Sequence, residues 1–199
     1  MELEKLELEN NKVDLLNESI TACSRLTSLK ISAFKNYLKD LKSVETIILN
    51  YLSDEDDILL LEDSKNLREL FISTYNMKEE ASHLFEVNWL KNLGIDFGGS
   101  EVKLKTIKNT NLEYLSIRGA KLTDFPKLKT PNLRYMNFFS YNEAAEIQIP
   151  STFLKFEYFE YLNICGDGIK SLDFDFSPPW PHYISFFACI IFHLWPHYF

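Results

Sequence analysis

The sequence predicts an α/β solenoid, a curved arc with a parallel sheet on its concave side and irregular or helical segments on its convex side. Two observations predict it. The pattern L-x-x-L-x-L recurs eight times along the 199-residue chain. The first residues of successive copies are 23, 18, 23, 23, 22, 21 and 26 residues apart. A sustained spacing of about 22 residues is typical of stacked structural repeats.

Each copy is apolar at its first, fourth and sixth positions. The copies are Leu3-Leu6-Leu8, Leu26-Leu29-Ile31, Val44-Ile47-Leu49, Leu67-Leu70-Ile72, Leu90-Leu93-Ile95, Leu112-Leu115-Ile117, Leu133-Met136-Phe138 and Phe159-Leu162-Ile164. Alternate residues of a strand point to opposite faces, so the fourth and sixth positions share one face and the third and fifth share the other. Because a single repeat cannot bury its apolar face alone, the copies are expected to stack.

This pattern resembles the leucine-rich repeat family over residues 1–176. At the ninth position, where that family usually has asparagine, only the first copy conforms, with Asn11. The resemblance implies an irregular arc of about eight repeats with variable convex segments, and Val13–Arg25 is a candidate helix among them. The competing interpretation is an ordinary α/β domain whose leucines are spaced by coincidence.

The resemblance also implies that a partner binds the concave face of the sheet. Tyrosine occupies the third position of three successive copies, and arginine and other aromatic residues lie near this column. The predicted partner-binding residues are Tyr114, Tyr135, Tyr161, Phe139, Arg118, Arg134, Phe71 and Ile48. Tyrosine and arginine are enriched at interface hot spots. The alternative is that the tyrosines only stabilise neighbouring strands through cross-strand contacts.

Charge and cysteine content narrow the classes of partner and compartment. The net charge of −8 argues against binding along a nucleic-acid backbone, which needs clustered lysine and arginine. The net charge fits a basic partner or plain solubility. The acidic stretch 53–57 lacks the ligand spacing of a calcium loop and is expected to be a solvated convex loop.

The cysteines and the N-terminus indicate the cellular compartment. Three widely separated cysteines do not predict a disulfide framework or a structural zinc site. Together with an acidic N-terminus, they favour the cytoplasm or nucleus.

The segment 177–199 forms a separate, apolar and aromatic tail without a charged Asp, Glu, Lys or Arg. Its apolar stretch Tyr183–Trp195 is too short to cross a bilayer. Other interpretations are a metal site at Cys189, His193 and His197, a further repeat at Ile184-Phe187-Cys189, an atypical cap, a partner contact, or a non-native ending. Because the first repeat begins at Leu3, the chain is also interpreted as a piece of a longer repeat protein.

The sequence predicts a non-enzymatic protein-binding module without a cofactor. It contains no G-x-S-x-G, G-x-x-x-x-G-K or H-E-x-x-H motif. The irregular repeats and the stretch Cys23–Leu29 resemble the leucine-rich portion of F-box substrate receptors, which implies substrate recognition for a ubiquitin ligase. The alternatives are a signalling regulator that docks on a small GTPase or kinase, and a structural fragment of a longer protein.

Overall fold

The computed structural model describes residues 3–8, 18–32, 40–50, 64–74, 85, 87–142, 147–150, 158–166, 169–173 and 183–187. Thirteen strands lie within these ranges. They are β1 (Lys5–Leu8), β2 (Ser28–Ile31), β3 (Thr46–Leu49), β4 (Glu69–Ser73), β5 (Asn92–Asp96), β6 (Thr106–Lys108), β7 (Tyr114–Ala120), β8 (Lys127–Lys129), β9 (Tyr135–Ser140), β10 (Ile147–Pro150), β11 (Tyr161–Gly166), β12 (Ile169–Asp173) and β13 (Tyr183–Phe187).

The main sheet contains nine parallel strands in the order β1-β2-β3-β4-β5-β7-β9-β11-β13. The first eight of them begin at the third position of the eight copies of the repeat pattern. Neighbouring strands pair in register, so equivalent positions of successive copies lie side by side, as Leu93 lies beside Leu115. The predicted repeat solenoid is therefore confirmed.

Backbone hydrogen bonds begin each new turn of the solenoid at the second position of the repeat. The amide of Lys91 donates to the carbonyl of Arg68 at 2.8 Å, and the amide of Glu113 donates to that of Lys91 at 2.8 Å. The amide of Arg134 continues the series to Glu113 at 2.9 Å. This ladder fixes the register of each strand before its first outward side chain is reached.

The core lies between the main sheet and a second layer of short strands. From β2 onward, the fourth and sixth positions are buried, and they form one hydrophobic cluster with Ile107 of β6 and with Ile147 and Ile149 of β10. The second layer consists of two separate parallel pairs, β6-β8 and β10-β12. Full burial of each aliphatic side chain contributes about 1.5–3 kcal/mol, so the stacked copies stabilise one another.

Two details of the predicted fold are wrong. Within the described residues the only helical element is a short 3-10 helix, Glu18–Ala22, so this part of the chain is nearly all β rather than α/β with helical convex segments. The predicted count of eight repeats also fails, because β13 adds a ninth strand to the main sheet. In the described part of the second half of the chain, short β segments lie where helices were expected, and Ile107, Ile147 and Ile149 bury their side chains in the core.

The tail contributes β13, but in a different register from the one predicted. Tyr183 lies beside Tyr161 and Ile184 lies beside Leu162, so this strand is displaced by three residues from the predicted copy at Ile184-Phe187-Cys189. The residues of the alternative metal site, Cys189, His193 and His197, lie outside the described residues, and so does the acidic stretch 53–57.

The cysteines also differ from expectation. Cys165 is disulfide-bonded, whereas Cys23 is free and buried. The disulfide at Cys165 differs from the expectation, which was that the chain has no disulfide framework.

Asparagine side chains connect successive turns of the solenoid by hydrogen bonds. They do not stand at the ninth position of the repeat, where the leucine-rich repeat family usually has asparagine. Asn66, Asn111 and Asn132 each stand immediately before the first leucine of a copy. Each side-chain amide donates to a backbone carbonyl in the preceding turn, that of Asn132 to Thr110 at 2.6 Å. These contacts satisfy carbonyl groups that face no strand partner, which a stacked turn requires.

Asn109 makes the buried version of this contact. Its side-chain amide donates to the carbonyls of Val87 at 2.6 Å and Leu90 at 3.3 Å. Its own oxygen accepts a hydrogen bond from the amide of Asn111 at 2.9 Å. Because the side chain of Asn109 is fully buried, water cannot replace these bonds.

We predict that Asn109→Ala lowers the free energy of unfolding by about 1–3 kcal/mol, because it removes buried hydrogen bonds to the carbonyls of Val87 and Leu90 that water cannot replace. Asn132→Ala removes a similar contact at an exposed position, where water can take over, and should cost less than about 1 kcal/mol. Urea unfolding followed by circular dichroism measures both values. Equal losses for the two variants would contradict this role for Asn109.

Candidate protein-binding surface

The outward face of the main sheet changes in chemistry from one end to the other. Its third positions are polar in the first five strands, where Glu69 accepts hydrogen bonds from Thr46 at 3.1 Å and Asn92 at 2.7 Å. The next three strands carry Tyr114, Tyr135 and Tyr161 at this position, in direct register. The predicted tyrosine column therefore exists as a row of adjacent side chains.

Phe71 connects this row to the second predicted group. Phe71 lies beside Ile48 on β3 and beside Gly94 on β5. A Cβ atom at Gly94 would lie only 2.5 Å from Cδ1 of the Phe71 ring, so the ring lies over this glycine. Phe71 thereby reaches Tyr114 on β7 in an edge-to-face contact, with 6.2 Å between the ring centroids.

These five side chains form a continuous surface, which we name the aromatic face: Ile48, Phe71, Tyr114, Tyr135 and Tyr161. The rings of Tyr135 and Tyr161 are 6.4 Å apart between centroids. Tyr135 is 38% exposed, and the other four members are half-buried. Half-buried aromatic side chains lose little conformational entropy when a partner covers them, because their packing already restricts their rotamers.

Glu160 holds the centre of the aromatic face in place. Its carboxylate accepts a hydrogen bond from Nε of Arg134 at 2.9 Å and pairs with the Nη2 atom of the same guanidinium. Its other oxygen accepts a hydrogen bond from the hydroxyl of Tyr135 at 2.6 Å. The guanidinium carbon of Arg134 also lies 5.8 Å from the centroid of the Tyr135 ring, within the range of cation–π attraction.

The same contacts shift the pKa of Tyr135. The hydrogen bond to Glu160, then burial, then the negative charge of that carboxylate raise the pKa of the hydroxyl above its ordinary value of 10.0. The hydroxyl therefore remains protonated and bonded at neutral pH. The stabilisation that this bond provides is present below pH 10 and is lost as the pH rises through the higher pKa of the folded state.

A row of polar side chains runs beside the tyrosines at the fifth position of the repeat. The amide of Asn137 donates to the hydroxyl of Ser116 at 3.4 Å, and the amide of Asn163 donates to the oxygen of Asn137 at 2.9 Å. The oxygen of Asn163 is buried and has no hydrogen-bond partner among the described residues. The half-buried Asn137 and Asn163 place side-chain amide groups beside the tyrosines, within reach of a backbone that lies on them.

Arg118 and Phe139 lie farther along their strands than the aromatic face. In the register of the parallel strands, Arg118 lies beside Asp96 of β5. The register of β7 with β9 shifts between Ile117 and Ala120. Phe139 packs edge-to-face on Tyr141 with 4.5 Å between ring centroids. These two predicted site residues therefore belong to the opposite margin of the sheet from Arg134.

Gly119 makes the register shift on β7 possible. Its φ angle is +67°, and a Cβ atom there would lie 2.6 Å from a carboxylate oxygen of Asp96 and 2.9 Å from the amide nitrogen of Gly98. Only glycine fits this combination of conformation and close approach. The bulge separates Arg118 from the regular ladder that carries the tyrosines.

Sequence reasoning found the tyrosine column but missed the residues that hold it. Gly94 stands at a position where the residue type varies between copies, so no repeat pattern points to it. The pairing of Arg134 with Glu160 has a parallel in Lys91 and Glu113, whose charged atoms are 2.9 Å apart at the same repeat position. The alternation of positive and negative residues at the second position of successive copies is the sequence signal that could have identified Glu160.

Comparison with known proteins gives no family assignment, because no family model matches this chain and no curated protein matches it. Within the described residues, no helix is long and apolar enough to span a membrane. The same part of the chain holds no group of three or more histidine, cysteine or acidic side chains that could bind a metal ion.

We predict that Tyr135 loses its proton above pH 10 and that Glu160→Gln moves this pKa back toward 10.0, because the substitution removes the negative charge. NMR titration of ring-labelled tyrosine measures the shift, and Tyr135→Phe assigns the signal. Glu113→Gln is the matched control, since Glu113 pairs with Lys91 and should leave Tyr135 unchanged. An unaltered pKa in Glu160→Gln would show that Glu160 does not hold Tyr135.

We further predict that Gly94→Ala displaces the Phe71 ring and lowers the free energy of unfolding by about 1–3 kcal/mol through overpacking. The ring signals of Tyr114 should shift in the NMR spectrum, since Tyr114 loses its edge contact, while those of Tyr161 should move less. Phe71→Leu removes the same contact without crowding and should shift Tyr114 in a similar way. A Tyr114 signal that is unchanged in both variants would contradict the bridge over Gly94.

Proposed function

We propose that this chain is a leucine-rich-repeat type, non-enzymatic module that binds a folded protein on the outward face of its main sheet. The observation that supports the proposal is the aromatic face. It joins the aliphatic side chain of Ile48 and four aromatic rings across six neighbouring strands. Glu160 fixes Tyr135, the most exposed member, by a hydrogen bond. Strands are rigid supports, and rigid aromatic anchors dominate the binding energy of protein interfaces.

The chemistry of this surface suits a partner that buries apolar side chains among the rings and offers hydrogen-bonding groups to the polar row. The Tyr161 and Tyr135 rings would be covered, while the half-buried Asn137 and Asn163 would exchange water for polar groups of the partner. Truncation of a central tyrosine at such a site costs about 2 kcal/mol or more of binding free energy. The Arg134–Glu160 pair would lie at the rim, where charge controls the association rate more than the affinity.

The role in a ubiquitin ligase and the role in GTPase or kinase signalling remain two versions of this proposal. Both use a preformed surface on a repeat scaffold, and they differ in the partner. Direct binding assays with purified ligase adaptor subunits and with a nucleotide-loaded small GTPase distinguish them. Binding of this protein to only one of the two candidate partners assigns the pathway.

We predict that Tyr114→Ser, Tyr135→Ser and Tyr161→Ser, made together, weaken binding of the physiological partner by at least about thirtyfold, the equivalent of roughly 2 kcal/mol. Affinity capture identifies partners that bind wild type, and calorimetry with the purified partner measures the loss. Circular dichroism of the variant checks that the fold survives.

Tyr158→Ser is the control for this experiment. Tyr158 is 52% exposed but precedes β11 and is outside the aromatic face. It should leave the affinity unchanged, whereas Tyr135→Ser alone should weaken it. If the triple variant binds every partner as wild type does, the tyrosine column only packs the sheet, and the proposed site is wrong.

A further inference from the structure

The second layer of the solenoid carries a cluster of lysines, which we name the lysine patch: Lys105, Lys108, Lys127 and Lys129. On β6 and β8 the buried or half-buried residues are Thr106, Ile107 and Leu128, whereas all four lysines are exposed. The patch therefore lies on the side of the core opposite the aromatic face. It is independent of the function proposed for that face.

The register of the two strands places the lysines next to one another. Lys108 lies directly beside Lys129, and Lys127 lies beside Thr106. The backbone amide of Lys127 also donates to the carbonyl of Lys105 at 3.0 Å. Neighbouring strands are about 4.8 Å apart, so the ammonium groups of Lys108 and Lys129 extend from nearly the same place.

No acidic side chain of the described residues forms an ion pair with any lysine of the patch. Like charges directly opposite one another in a sheet are destabilising. This arrangement therefore costs folding stability, in contrast to the second position of the repeat, where Lys91 and Arg134 are paired with Glu113 and Glu160. A cost of this kind is expected where the charges serve an external partner.

The lysine patch also stands out from the charge of the whole chain. Residues 101–108 and 121–129 contain six basic and two acidic residues, a net charge of +4. The remaining sequence contains 15 basic and 27 acidic residues, a net charge of −12. Basic charge is thus concentrated on the second-layer strands of a protein that is otherwise acidic.

We propose that the lysine patch binds a short, extended, acidic segment of a partner protein. Lys127 and Lys129 are two residues apart on one strand, and their side chains are therefore spaced by about 6.6 Å. In an extended peptide, every second side chain has the same spacing. Carboxylates at alternate positions of such a segment match the lysines along the patch.

The size of the patch favours a short peptide over a larger polyanion. β6 and β8 have three residues each, so the patch is about 10 Å long and about one strand spacing wide. A nucleic-acid duplex or a membrane surface would extend well beyond it. Their phosphates would then approach a chain that is net −12 outside residues 101–108 and 121–129, which is repulsive.

The test is fluorescence anisotropy at low salt with a labelled peptide of alternating aspartate and serine, and with its asparagine analogue. We expect the aspartate peptide to bind and the asparagine peptide to fail, with an affinity that falls as salt screens the charges. Lys108→Ala combined with Lys129→Ala should weaken binding about fivefold, as expected for the loss of two exposed ion pairs. Lys108→Glu combined with Lys129→Glu should abolish it.

Lys42→Ala combined with Lys65→Ala is the matched control, because it removes the same charge at exposed positions outside the patch. It should leave binding unchanged. Thermal unfolding should show that Lys108→Ala with Lys129→Ala is at least as stable as wild type, since it relieves repulsion.

Three outcomes would overturn the proposal. One is the absence of binding to the aspartate peptide, and another is an equal loss in the control variant. The third is tighter binding, through the same lysines, of a single-stranded oligonucleotide or of vesicles that contain phosphatidylserine, because the patch would then recognise phosphate groups.

Discussion

The in-register stacking of parallel strands is the constraint on which the rest of this structure depends. The fourth and sixth positions of each copy are buried only because the equivalent positions of the next copy lie beside them, as Leu93 lies beside Leu115. A slip of one residue would exchange the buried and outward faces of a strand. The backbone ladder at the second position and the asparagine contacts between turns both oppose such a slip. Apolar burial thus sets the register, and polar contacts at the turns secure it.

The same constraint builds the surfaces. Because register fixes which residues are neighbours, a residue type repeated at one outward position becomes a continuous row, as for Tyr114 and Tyr135. Outward positions carry little of the burial energy, so their identity is free to change along the solenoid. This freedom allows a polar region around Glu69, an aromatic face and, on the other layer, a lysine patch on one scaffold. The two layers differ in what they are able to bind, although one core supports both.

Periodicity made the main sheet predictable, and it also limited the prediction. The starts of the first eight strands of the main sheet follow from the leucine spacing, because burial repeats with it. The second layer was predicted wrongly as partly helical, since the segments between copies vary in length and have no shared pattern. Of the candidate site, the tyrosine row could be predicted from position alone. The role of Gly94 could not, because it depends on the Phe71 ring of another copy, a contact that follows no period. The alternating charge at the second position indicates the pairing of Glu160 with Arg134, but not the hydrogen bond from Tyr135. The role of Asn109 could not be predicted either, because it depends on the burial of this side chain.

The Phe71 ring, which lies across Gly94 and reaches Tyr114, gives this array a coupling that skips one strand. In a simple solenoid each turn contacts only the turns on either side, so duplication or deletion of one turn changes only local contacts. Here β4, β5 and β7 form an indivisible triplet on their outward side, although the backbone pairing is the same throughout. A duplicated turn inserted between β5 and β7 would preserve every hydrogen bond of the sheet and still divide the aromatic face in two. Insertion of a turn at that point is therefore opposed by a surface contact, and not by the core.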